Sequence, residues 1–182
     1  MSAFPIYTVE TAPAPSQPVL RQLQQTFGFV PNIAGAMAGS PVLIEAFAGL
    51  FQRVHAGTLS EADIQTLLLT NAVTNAASWA VAFHSALALR EGVAAADVEA
   101  IRAGRSPAEP RHAALSTLTK TAIEKRGHLD ERDVSQFIDA GLRRDQVLEM
   151  LAVLAASTIT NYVCNIAEPP LEAQFDEHRW HA

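Results

Sequence analysis

Residues 60–91 lie in the longest stretch of this chain without glycine or proline. Apolar side chains recur in it every three or four residues, which is the spacing of one face of an α-helix. These side chains are Ile64, Leu67, Leu68, Ala72, Trp79, Phe83 and Leu87. Ser60 and Asp63 open the stretch in the pattern of a capping box. Residues 74–76 are its weakest point because Thr and Asn side chains compete for backbone hydrogen bonds. We therefore expect either one long helix or two helices with a break there.

The rest of the chain also has helical spacing, and we find no segment with the sustained alternation of a β-strand. Alanine is the commonest residue, and it favours closely packed helices over sheets. Further helices are predicted over residues 19–27, from Ser40-Pro41 to about residue 55, and over residues 95–103, 111–125, 131–140 and 144–164. Residues 29–33 are predicted to form a turn. The sequence therefore predicts an all-α fold.

With 182 residues the chain is long enough for one domain. We expect an extended N-terminal arm over residues 1–18, a helical domain over 19–171 and a polar, frayed C-terminal tail over 172–182. Residues 92–101 and 141–150 are weakly similar in sequence. This similarity indicates either an internal pseudo-repeat or only the pattern that any two capped amphipathic helices share.

The chain is acidic, with 13 Lys and Arg against 19 Asp and Glu and a formal net charge of −6. This balance argues against nucleic acid as a partner, because a basic surface does most of the binding there. The N-terminus has no basic start followed by an apolar stretch, and the apolar run over residues 150–159 is far short of the roughly 20 residues that span a bilayer. We therefore expect a cytoplasmic protein with no membrane contact.

No cofactor and no metal site is predicted. The single cysteine, Cys164, excludes an intramolecular disulfide and a cysteine metal cluster. His178, His181 and Asp176 are conceivable metal ligands, but they lie in the tail, and a frayed tail holds ligands poorly.

Ala77, Ala80 and His84 follow one another at i, i+3 and i+7, so they share one face of a helix. This segment resembles the core motif of the AhpD-like (alkyl hydroperoxidase D-like) and carboxymuconolactone decarboxylase superfamily. That motif has a Glu, then twelve residues on a Cys-x-Tyr-Cys, then a His four residues after the second Cys. By this resemblance Gln65 takes the Glu position, Ala77 and Ala80 take the Cys positions, Trp79 takes the aromatic position and His84 matches the His.

The resemblance extends over about residues 20–171. Residues 28–32 with Ser40-Pro41 are similar to the entry segment of the peroxidase-related branch, and residues 161–162 with 170–171 are similar to its closing helix. The resemblance implies an AhpD-like helical bundle that assembles as a homo-trimer or hexamer. It also implies an oxidoreductase of the alkyl hydroperoxidase or peroxiredoxin type.

Of the four matched positions that carry the family's chemistry, three lack it: Gln65, Ala77 and Ala80. A thiolate is the attacking species in disulfide-dependent peroxide reduction, and alanine has no nucleophile. An amide at Gln65 does not titrate in the useful range, so it cannot replace a carboxylate base. We therefore expect no thiol peroxidase activity, and whether the chain is an enzyme stays open.

His84 is the one titratable residue left in the set. It is either an acid, base or ligand-binding donor in a pocket with Trp79 and Phe83, or a packed histidine with no chemical role. The family's chemistry requires residues 65 and 84 to meet, so we expect the chain to fold back between them. A Gln65 amide can hold a neutral ring, so we expect His84 to be neutral at pH 7.

Two classes of function follow. The first is a non-enzymatic oligomer with a small-molecule pocket at His84. The alternative is a cysteine-independent lyase of the carboxymuconolactone decarboxylase type, with His84 as acid or base and Arg53 and Arg90 as the nearest cations for an anionic lactone acid.

Cys164 is a second candidate. It follows Glu149 by fifteen residues, which is also the distance from Gln65 to Ala80. A pseudo-repeat would then combine Glu149, Asn161 and Cys164 in a second, less complete version of the site, with the thiol as a peroxide target. The other interpretation is a small buried apolar side chain.

Overall fold

The computed structural model describes residues 4–181, which form α-helices and two short 3₁₀ helices without a β-strand. The nine α-helices of this part of the chain are α1 (Gln17–Phe27), α2 (Asn32–Met37), α3 (Pro41–Val54), α4 (Glu61–Thr74), α5 (Ser78–Arg90), α6 (Ala95–Arg102), α7 (Pro110–Glu124), α8 (Glu131–Asp139) and α9 (Arg144–Ala167). The 3₁₀ helices lie at Ala14–Ser16 and Ala173–His178. The all-α prediction is confirmed.

The stretch without glycine or proline forms two helices, α4 and α5, that fold back on each other at residues 75–77. The Ala77 N–H donates to the Ala72 carbonyl at 2.9 Å, and the Ala76 N–H donates to the Val73 carbonyl at 3.1 Å. These two bonds are those of a Schellman motif, with Ala76 in the left-handed position at φ +51°. Asn75 fixes the corner because its side-chain amide donates to the Asn71 carbonyl at 2.9 Å. The expected break is therefore present.

Helix α4 lies at the centre of the fold, packed against α5, α7 and α9. It begins with the predicted capping box, in which Ser60 Oγ accepts from the Asp63 N–H. Ten of its fourteen residues are buried, so its polar side chains need partners inside the protein. The Asp63 carboxylate accepts two hydrogen bonds from Arg111, and Gln65 reaches α5. This central position holds the Gln65 side chain in place.

Helix α9 is the longest helix, and its length and composition alone would allow it to cross a membrane. Half of its most apolar window is buried inside the protein, where it packs against α2, α3 and α4. Burial of this kind is typical of a core helix.

The N-terminal region differs from the prediction. Residues 1–3 lie outside the described residues, while the rest of the predicted arm packs on the fold: Val9 and Ala12 are buried, and the Tyr7 N–H donates to the Gly35 carbonyl at 3.2 Å. Helix α1 begins at Gln17, so the end of the predicted extended segment is helical. Helix α2 replaces the end of the predicted turn, because Ile33 and Met37 bury their side chains in the core.

The C-terminal tail is ordered rather than frayed. Its Ala173–His178 3₁₀ helix packs on α5, and the Trp180 indole N–H donates to the Arg102 carbonyl at 3.0 Å. The prediction was wrong because Phe175 and Trp180 anchor an otherwise polar segment to the core.

Candidate functional site

Gln65 and His84 lie opposite each other on the α4–α5 hairpin, and both are buried. Gln65 Oε1 is 3.0 Å from His84 Nδ1. The predicted meeting of these two residues is confirmed. An amide oxygen accepts only from a protonated nitrogen, so the pair fixes the tautomer with hydrogen on Nδ1 and leaves a lone pair on Nε2. Within residues 4–181 no hydrogen bond to Nε2 is found.

Burial lowers the pKa of His84 to about 3, and the electrostatic effect of the nearby His55 acts in the same direction. The ring is therefore neutral at pH 7. A group with this pKa holds a proton too weakly to serve as a general acid near neutrality. At neutral pH His84 is better suited to accept a hydrogen bond than to transfer a proton.

His84 contributes to the wall of a small cavity between α1, α3, α5 and α9. The Trp79 and Phe83 rings stack with their centroids 4.8 Å apart, and Phe27 packs edge-on against Phe83 at 5.8 Å. The cavity measures about 40 Å³, which is room for a few water molecules at most. Among the described residues that line it, none carries a formal charge at pH 7. The cavity is therefore lined mainly by aromatic and other apolar side chains. It has few polar groups, and one of them is the imidazole of His84.

The two alanines at the family's Cys positions are completely buried. Cys164 lies beside them at the N-terminal end of α5, where the backbone N–H groups of Trp79 and Ala80 favour its thiolate. Burial raises the pKa of the Cys164 thiol, and these N–H groups only partly oppose the rise. Because the thiolate is the reactive form, this cysteine is a weak nucleophile at pH 7.

The second site built on Cys164 is not formed. The Glu149 carboxylate accepts from the Thr58 hydroxyl at 2.6 Å and from the Leu59 N–H at 3.2 Å. Asn161 is buried against Asn71, with the amide nitrogen and oxygen 3.1 Å apart. Glu149 and Cys164 lie in one continuous helix, about 22 Å apart along its axis at 1.5 Å per residue. The structure therefore contradicts the grouping of Glu149, Asn161 and Cys164.

The other predicted candidates lie away from the cavity. Arg53 is exposed, and Arg90 forms an exposed ion pair with Glu91 at 3.0 Å. Neither arginine lines the cavity. In the tail, Asp176 pairs with Arg179, and the His178 carbonyl accepts from Arg102. No group of three His, Cys, Asp or Glu side chains that could hold a metal occurs within residues 4–181.

Two features of the site were missed by sequence reasoning. The first is the tail, where Glu172 accepts from the Trp79 indole N–H at 2.9 Å and the Phe175 ring packs edge-on against Phe83 at 5.2 Å. Two aromatic residues in an otherwise polar tail were a usable signal for this docking. The second is a Glu61–His55 pair, with Nδ1 2.9 Å from the carboxylate, for which the sequence alone gave no signal.

This geometry defines an all-α protein in which an amide holds a neutral histidine at an aromatic cavity. No family model matches the sequence, and no curated protein does. Solved structures do match. An uncharacterized peroxidase-related protein from Ralstonia eutropha JMP134, described as an alkylhydroperoxidase AhpD core, superposes with a TM-score of 0.84 at 17% identity, over 96% of this chain and 94% of that one. A peroxidase-related protein from Silicibacter sp. TM1040 gives a TM-score of 0.78 at 15% identity, over 95% and 92% of the two chains.

The debrominase Bmp8 is also similar, with a TM-score of 0.74 at 20% identity over 91% of this chain and 90% of that one. Its C82A variant, solved with 2,3,4-tribromopyrrole, gives 0.73 at 21% over 89% and 88%. At these identities the likeness concerns the fold. The chain has the fold of AhpD-like, peroxidase-related proteins, and the resemblance predicted from its motif is confirmed at that level.

Proposed function

We propose that this chain is an AhpD-like, peroxidase-related protein that has lost the dithiol centre and binds a small uncharged aromatic molecule in the cavity at His84. The observation that carries the proposal is the unpartnered Nε2 of a neutral His84 beside the stacked rings of Trp79 and Phe83. Such a site accepts one hydrogen bond and packs on the faces of a ring. With alanine at positions 77 and 80, we expect no dithiol-dependent reduction of hydroperoxides.

The Bmp8 neighbour supports the class of ligand. Its C82A variant was solved with 2,3,4-tribromopyrrole, a small aromatic ring with one N–H. A ring of this kind suits a cavity with aromatic walls and an imidazole acceptor. It is much larger than the 40 Å³ cavity, so its binding requires aromatic side chains to move.

Fluorescence tests this proposal. The chain has two tryptophans, so a Trp180→Phe variant leaves Trp79 as the reporter inside the site. Titration with 2,3,4-tribromopyrrole is expected to give saturable quenching, because bromine is a heavy atom. His84→Leu removes the acceptor at similar volume and is expected to weaken binding by about tenfold or more. His128→Ala, at an exposed histidine, is the matched control and keeps the wild-type affinity. Linear quenching equal to that of free tryptophan would refute the proposal.

The lyase alternative is the weaker proposal. An anionic lactone acid needs a cation beside its acid group, and the walls of the cavity supply none among the described residues, since Arg90 lines only the neighbouring groove. The lowered pKa of His84 also disfavours proton delivery near neutral pH.

We further propose that copies of this chain associate with one another, through an exposed face of α9. Leu148, Leu151, Tyr162 and Ile166 are exposed on this helix, and residues 150–167 contain no charged side chain. A long uncharged apolar face is typical of a protein interface. We also propose that the protein is cytoplasmic.

A further inference from the structure

A larger groove runs beside the cavity, between the ends of α1, α3, α4 and α5. Its volume is about 420 Å³, some ten times that of the cavity. Three side chains, Leu23, Phe27 and Phe51, line both spaces. The Phe27 and Phe51 rings lie 6.4 Å apart, so together they form the partition between groove and cavity. Both rings are only half-buried, because one side of each faces the groove.

Two imidazoles lie on either side of this partition, each held by a side chain of α4. Glu61 and Gln65 are one turn apart and therefore share a face of that helix. Gln65 holds His84 at the cavity, and Glu61 holds His55 at the groove. The Phe51 ring packs on the His55 ring with centroids 4.3 Å apart.

The outer imidazole has an unused nitrogen. His55 Nδ1 is occupied by the Glu61 carboxylate, while Nε2 is shielded from solvent and has no partner among the described residues. Buried polar atoms are seldom left unpaired, so a partner for this nitrogen is expected in another state of the site. Apolar side chains such as Leu87 and neutral polar ones such as Gln52 and Thr26 complete the lining of the groove, with Arg90 as its one further charged residue among those described.

From this arrangement we propose that groove and cavity are two halves of one binding site, divided by Phe27 and Phe51. The ligand is an uncharged aromatic ring that carries a hydrogen-bonding polar substituent. The ring displaces the partition and enters the cavity, where its donor reaches His84 Nε2. The polar end stays in the groove, beside the Glu61–His55 pair. This inference rests on the proposed function for the class of ligand and adds the route of entry and an outer subsite.

The route of entry is testable without any ligand. Cys164→Ser removes the native thiol, and Ser157→Cys then places a single thiol on the cavity wall. Its rate of labelling by methyl methanethiosulfonate reports on access to the cavity. Phe51→Ala removes half of the partition and is expected to speed labelling by about tenfold or more. Phe47→Ala is the matched control, since Phe47 lies one turn away on α3 and lines the cavity but not the groove. We expect it to change the rate by less than about threefold.

A second thiol separates local opening from loss of stability. Ser116→Cys in the same background lies at a buried position of α7 that does not line the cavity, and its labelling should be unaffected by Phe51→Ala. Equal rates for the Phe47→Ala and Phe51→Ala variants, or equal acceleration at positions 116 and 157, would overturn the inference. Failure of the proposed function alone gives a different result from failure of this inference. Quenching by tribromopyrrole would then not saturate, while the labelling rate at position 157 would still increase in the Phe51→Ala variant.

Discussion

At the scale of single residues, replacing a carboxylate by an amide changes what His84 can do. A Glu at position 65 would favour the charged ring and so raise the pKa of His84. Gln65 only accepts one hydrogen bond, so it does not offset the lowering of the His84 pKa by burial. This pairing was predictable from the sequence because the motif relates the two positions. The aromatic walls were not, because Phe27, Phe47 and Phe51 come from helices whose packing angles no local pattern specifies.

The buried neutral ring predicts a pH dependence of stability. The unfolded chain protonates His84 below its ordinary pKa of about 6.5, but the folded chain does so only near its lowered pKa of about 3. Folding therefore opposes protonation between these values, and the free energy of unfolding decreases as the pH falls through this window. The contribution of His84 is at most about 1.4 kcal/mol per pH unit.

Urea unfolding at about pH 7 and about pH 5 measures this effect. His84→Asn keeps a polar partner for Gln65 and cannot titrate, so its stability should fall less over the same range. His128→Asn, at an exposed histidine, should retain the wild-type dependence. An identical pH dependence in the His84→Asn variant would show that the ring is not neutral and buried as described.

At the scale of helices, the Schellman turn at Ala76 creates the site by reversing the chain between Gln65 and His84. The break was predictable, but its geometry was not, because glycine usually occupies the left-handed position. Gly92, Gly104, Gly127 and Gly141 do so after other helices of this chain. Helix α2 and the C-terminal 3₁₀ helix were missed for a related reason: both are short, and tertiary contacts rather than local propensity stabilise them.

A substitution at this turn tests the strain in it. Alanine in the left-handed region costs about 1 kcal/mol, and glycine adopts it freely. Ala76→Gly is therefore expected to raise the free energy of unfolding by up to about 1 kcal/mol. Ala46→Gly, at an exposed position inside α3, is the control and should lower it by about 1 kcal/mol. A loss of stability in the Ala76→Gly variant would be inconsistent with the positive φ at this residue.

At the scale of the whole molecule, the helical content, order and most boundaries of the helices were predictable from capping residues and apolar spacing. The division into arm, domain and tail and the internal pseudo-repeat stay predictions. The exposed face of α9 could not be told from a buried one by sequence, because the helix is apolar on nearly every side. Only its packing shows that Leu148, Leu151, Tyr162 and Ile166 remain uncovered in a single chain.

This face should mediate self-association. Light scattering on wild-type protein is expected to give a multiple of the 19.5 kDa chain mass. Tyr162→Asp places a charge on the uncovered face and should shift the mass toward the monomer. Leu89→Asp puts the same charge at an exposed apolar position of α5 and should leave the assembly intact. A wild-type protein that stays monomeric, or equal effects of the two substitutions, would rule out an interface on α9.

The central claim is that a neutral His84 offers Nε2 to a small aromatic ligand. A long-range proton–nitrogen NMR spectrum of the histidine rings at pH 7, recorded with and without 2,3,4-tribromopyrrole, tests it most directly. The free protein should show a protonated Nδ1 and an unprotonated Nε2 at His84, and the Nε2 resonance should shift as the ligand donates a hydrogen bond to it. An imidazolium pattern at His84, or an Nε2 resonance that stays unchanged with saturating ligand, would contradict the account.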